Sequence, residues 1–153
     1  MRHRAWGLLV LVPAAMFVTM LVFAPFMSFH IDLYLSGTPA RFAAVVVRAG
    51  RSNARGALWL DNIFVLSWLT LVPPLLRAGL QLWAPERRRV FGTWSYMPAI
   101  AVAAAVVDLV ENALSLFLVG KARPPSAVTL AITTAAWSSW LLYALAVVGL
   151  GGL

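Results

Sequence analysis

Apolar residues dominate four stretches of the chain, Trp6 to Phe29, Ala57 to Trp83, Tyr96 to Val119 and Val128 to about Leu150, with polar residues gathered between them. Each stretch has about the 20 residues that a helix needs to cross a hydrocarbon layer roughly 30 Å thick. Backbone groups in lipid must be satisfied within the segment, so the pattern predicts four transmembrane helices over about 6–29, 57–83, 96–119 and 128–150. Short loops join the last three and make neighbours antiparallel. The predicted fold is therefore all-α: a polytopic membrane four-helix antiparallel bundle forming a single transmembrane domain, 1–153.

The links refine this outline. Thr38 can cap a helix that begins at Pro39. Beyond it Phe42, Val45, Val46 and Ala49 recur at i, i+3, i+4 and i+7, while Arg41, Arg48 and Arg55 recur every seventh residue. The pattern predicts an amphipathic interfacial helix over about 38–55, lying in the head-group plane between the first and second spans. A helix packed over the mouth of the bundle with solvated arginines fits the pattern equally well. Pro73-Pro74 should kink the second span, and Arg77 can snorkel toward the loop that carries Arg87-Arg88-Arg89 between Trp83 and Trp94. The first apolar run is longer than a signal-peptide core and shows no clear cleavage site, so it reads as a retained span.

Composition agrees with a membrane setting: 62% of residues are hydrophobic, 11% are charged, and the mean hydropathy is +0.87. The net charge of +7 comes from twelve cations scattered around the apolar runs. That arrangement suits anionic lipid head groups, and no stacking or basic-groove motif accompanies it, so nucleic acid is not an expected partner. The absence of cysteine excludes disulfides, thiolate nucleophiles and sulfur-ligated metals. With only His3 and His30, a metal would rest on carboxylates and be hard, such as Mg²⁺, Mn²⁺ or Ca²⁺. Alternating spans place six cations on each side, so positive charge does not decide orientation by count. The compact arginine triplet favours both termini on the cytoplasmic side of the cell (inner) membrane.

Inside the third run, Asp108, Glu111, Asn112 and Ser115 stand at i, i+3, i+4 and i+7 and share one helical stripe. A charged group at mid-membrane costs about 2.5–3.5 kcal/mol on insertion scales, so this stripe should face the bundle interior. Antiparallel packing brings Asp61 and Asn62 of the second span to the depth of Glu111 and Asn112. His30, Asp32 and Tyr34 emerge on that side, and Thr129, Thr133, Thr134, Ser138 and Ser139 descend from it. The expected ligand-binding set is His30, Asp61, Asn62, Asp108, Glu111, Asn112, Ser115 and Thr133. Asp61, Asp108 and Glu111 would hold Mg²⁺ or Mn²⁺ if a metal binds. Trp68, Trp137 and Trp140 could floor such a pocket or simply pack against neighbours and lipid. A structural account competes: Asp61 complements a helix start, while Asp108 and Glu111 share a proton or bond Asn62, Asn112 and Ser115 as interhelical glue.

Asp61-Asn62-Ile63-Phe64 and Asp108-Leu109-Val110-Glu111-Asn112 match Asp-x-x-Phe and Asp-x-x-Glu-Asn motifs. In these the chain resembles small bacterial four-helix integral membrane proteins, uncharacterised and without an established activity. The resemblance covers the second and third spans and implies a fold but no chemistry, and no catalytic residue is assigned. Three functions stay open: a pocket for a lipid-like or small ligand, enzymatic only with a hard cation or a proton donor; a small proton- or cation-coupled transporter, expected as a homodimer; and a non-catalytic partner of membrane lipid or another membrane protein. Three carboxyls in a partly dry bundle cannot all stay ionised without compensation, so a change of protonation or cation occupancy is expected near neutral pH.

Overall fold

Turns at Gly37, Gly50 and Gly120 separate helices that make up most of the described residues. The computed structural model describes residues 28–87 and 96–151, together with Val18. Among these residues the elements are α1 (28–34), α2 (Pro39–Ala49), α3 (Arg51–Arg87), α4 (Met97–Val119) and α5 (Ser126–Gly151). The first expected span, over 6–29, falls almost wholly outside the described residues, as does the loop around Trp94.

Gly37, at φ 57°, turns the chain out of α1. Thr38 is extended and its hydroxyl accepts a hydrogen bond from Arg41 N (3.4 Å), with Pro39 opening α2 as expected. The expected helix over 38–55 is divided, however. Gly50 takes φ 81°, its N–H bonds Val47 O (3.2 Å) to close α2, and its carbonyl accepts from Ala54 N (2.9 Å) at the start of α3. A residue with a Cβ would be strained at that φ, so the glycine ends one helix and starts the next. Arg55 thereby leaves the basic face of α2 and joins α3. The apolar side of α2 turns onto protein, where Phe42 and Val46 are buried with Leu33, Leu58 and Ile132.

The span expected over 57–83 is longer: α3 has 37 residues, a length of about 55 Å, and stays helical across Pro73-Pro74. Three helices are long and apolar enough to cross a membrane, over Arg51–Gln81, Met97–Val119 and Ser126–Val148. Their length and composition are consistent with an integral membrane protein. Because Ser52 and Glu86 occupy opposite ends of α3, separated by about 51 Å of helix, cysteines introduced as Ser52→Cys and Glu86→Cys should react with an impermeant thiol reagent from opposite faces of the membrane. Labelling of both from one face would exclude α3 as a spanning helix.

Helix α4 packs against both α3 and α5, and α2 touches α3 and α5. Its buried side begins with Ala101, Ala104 and Ala105, small residues that let helices approach closely in the absence of a hydrophobic drive between lipid-bathed surfaces. Helix α5 answers with Thr129, Ile132, Ala136 and Ser139, a stripe repeating every three or four residues, and with Ala146 two turns farther on. Two apolar clusters result. One unites Leu33, Phe42, Val46, Leu58, Leu118 and Ile132 at the end where α3 and α5 begin. The other unites Val65, Trp68, Val72, Leu76, Ala101 and Ala146 farther along. Between them lies the polar stretch of α4.

Candidate functional site

The polar stripe of α4 points inward as its spacing requires. Asp108 is 5% exposed, and Glu111, Asn112 and Ser115 are 0% exposed. Asp61 of α3 meets this stripe: its Oδ2 accepts a hydrogen bond from Asn112 Nδ2 at 2.9 Å. The same oxygen accepts from the Tyr34 hydroxyl of α1 at 3.4 Å and lies 3.9 Å from His30 Nε2. Asp61 therefore ties α1, α3 and α4 together. Burial first, and the Asp61 charge second, push the Tyr34 phenol well above its ordinary pKa, which keeps its O–H available as a donor.

Asp108 turns the other way, toward α5. Its Oδ2 accepts from the Tyr143 hydroxyl at 2.7 Å. Tyr143 in turn meets the buried indole of Trp68 edge to face, with ring centroids 4.7 Å apart. The carboxyls of Asp61, Asp108 and Glu111 are near enough to feel one another's charge. Each aspartate thus uses one oxygen to fasten helices.

On α4 this leaves buried polar atoms without a partner among the described residues, namely both oxygens of Glu111, Asp108 Oδ1, Asn112 Oδ1 and Ser115 Oγ; off that helix Ser36 Oγ and the indole Nε1 of Trp68 are in the same position. On α4 all but the serine hydroxyl are acceptors when the carboxyls are ionised. Buried polar groups are ordinarily hydrogen-bonded, so this concentration within two turns of one helix is unusual.

Of the eight residues expected to bind a ligand, six converge in this layer: His30, Asp61, Asp108, Glu111, Asn112 and Ser115. Asn62 is half-buried and makes no side-chain hydrogen bond among the described residues. Thr133 is occupied elsewhere, its Oγ1 accepting from Gly37 N (3.2 Å) and so pinning the α1–α2 turn to α5. Thr134 and Ser138 lie on the exposed side of α5, with Ser138 bonded back to Thr134 O. Trp68 adjoins the layer, but Trp137 and Trp140, at 62% and 49% exposed, lie on the outer surface and cannot floor it. Among the described residues no group of three or more histidine or carboxylate side chains is arranged to hold a metal ion.

Sequence reasoning missed the role of the two tyrosines. The spacing puts Tyr34 on the side of the site without giving it a task and does not by itself single out Tyr143. Tyr143 follows Thr129, Ile132, Ala136 and Ser139 at the same three-or-four spacing, which is the signal that would have found it. No family model, no curated protein and no solved structure matches the chain.

Proposed function

We propose that the polar layer binds a small or lipid-like ligand that offers hydrogen-bond donors or positive charge, with Glu111 and Asp108 as its acceptors. The observation that carries this reading is the division among the carboxyl oxygens. Those of Asp61 and Asp108 that face neighbouring helices are bonded, whereas Glu111, the most buried of the three acids, has neither oxygen bonded to protein among the described residues. A carboxyl that served only as glue would be expected to bond a neighbour, since a buried polar group left unpartnered costs about 1–3 kcal/mol. The layer sits about 12 Å from the end of α4, in one half of the span, where a membrane-dissolved or small polar ligand can be held away from water.

The test is infrared difference spectroscopy of the carboxyl bands in purified protein, on addition of Mg²⁺, Mn²⁺ or ethanolamine in turn. At least one probe should shift the bands of the wild type. Asp108→Asn with Glu111→Gln should remove the shift while the protein still folds in detergent. Silence toward every probe would end the ligand reading, and loss of folding in the double variant would leave the carboxyls as structural glue.

Closure of the layer between two apolar clusters favours a second reading, proton- or cation-coupled transport. Transport requires such a site to open to each side in turn, and proteoliposomes carrying a pH-sensitive dye would report it. We place the chain in the cell membrane with its termini cytoplasmic, so that α2 and the basic connections at that end face outward.

A further inference from the structure

Where α4 stops and α3 begins, the bundle carries four exposed cations: Arg51 and Arg55 on α3, and Lys121 and Arg123 in the link from α4 to α5. The acids of the chain are Asp32, Asp61, Glu86, Asp108 and Glu111. Three belong to the polar layer, Glu86 lies at the far end of α3, and Asp32 is paired with Arg48. None of the four cations has an acidic partner among the described residues.

Two of them are located against the last turn of α4. Arg55 Nη2 lies 3.5 Å from the point that a Cβ on Gly120 would occupy. Lys121, the next residue, holds its Nζ 4.8 Å from the centroid of the Phe117 ring. The Arg55 guanidinium thus reaches the last turn of α4, at ordinary contact distance from where a Gly120 methyl group would sit. The carbonyl end of α4 offsets part of the cations' repulsion, but a helix end is worth only about half a charge. The arrangement favours an anion.

The surface leading away from these cations into the membrane is apolar. On α3, Trp59, Ile63 and Leu66 follow Arg55 at helical spacing and are 62%, 58% and 51% exposed. On α4, Phe117 and Val110 precede Lys121 and are 60% and 52% exposed. Tryptophan at the level of the cations is the usual marker of the head-group region. A free anion uses the cations alone, whereas a lipid uses both parts.

We propose that Arg55 and Lys121, with Arg51 beside them, hold the phosphate of an anionic phospholipid whose acyl chains lie along the exposed faces of α3 and α4 below Trp59 and Phe117. This site is separate from the polar layer and stands whatever that layer binds.

Native mass spectrometry of the full chain, released from micelles doped with phosphatidylglycerol or phosphatidylcholine, tests it. The wild type should retain phosphatidylglycerol at least about tenfold better, and Arg55→Gln with Lys121→Gln should lower that retention about thirtyfold, as expected for two head-group cations. Arg77→Gln, exposed toward the other end of α3, should change nothing, and Arg55→Lys with Lys121→Arg should keep the lipid. Equal retention of the two lipids, indifference to the double variant, or displacement by inorganic phosphate alone would overturn the proposal. If the double variant fails to fold, the single variants Arg55→Gln and Lys121→Gln provide the decision: each should lower retention about fivefold, and unchanged retention in both would refute the site.

Discussion

Glu111→Leu should make the protein more stable and functionally silent. The wild-type carboxyl is fully buried and bonds nothing among the described residues, so leucine of comparable size relieves a penalty of about 1–3 kcal/mol without breaking a contact. Denaturant titration in detergent micelles should show the unfolding free energy rising by that amount. The infrared response to added probes should disappear in the same variant. A trade of stability for function is expected where a buried polar group is kept for a ligand. A fall in stability would mean that Glu111 fastens the bundle, and the ligand reading would lose its main support.

Asp61→Leu should act in the opposite direction. It strips the acceptor from Asn112 Nδ2 and the Tyr34 hydroxyl, leaving two donors unsatisfied inside the bundle. Interhelical hydrogen bonds in membrane proteins average about 0.6 kcal/mol and reach about 1.7, so a loss of roughly 1–3 kcal/mol is expected for the two together. A double-mutant cycle with Asn112→Leu isolates the shared bond, because the two losses should fall short of additive once either partner is gone. The contrast in sign between Asp61→Leu and Glu111→Leu is the signature of a layer divided between fastening and binding. If both variants lose stability alike, the whole layer is glue.

Much of this layer could be read before any coordinates. The spacing of Asp108, Glu111, Asn112 and Ser115 predicted one inward stripe because helical geometry leaves those positions no other common face, and hydrocarbon makes outward exposure costly. The register of α3 against α4 followed from loop lengths and helical rise, and the Asp61–Asn112 bond lies where that register places it. Arg55 was misassigned because a seven-residue arginine repeat continues across Gly50, and periodicity is blind to the single positive φ that redirects the chain.

The sequence by itself determined that the described chain is helical, that three of its helices are long and apolar enough to cross a membrane, and which face of α4 is polar and buried, since length, hydropathy and period are local properties. Only the tertiary structure decided which partner each carboxyl takes. Helix α5 is apolar nearly all round, so although spacing can group Tyr143 with the inner stripe, composition could not tell which acid its hydroxyl meets or that Trp137 and Trp140 turn away. Nor could spacing tell that Asp61 and Asp108 each give an oxygen to a neighbouring helix while Glu111 gives none. That choice depends on how the helices rotate against one another, which is set by the packing of small residues along their shared faces.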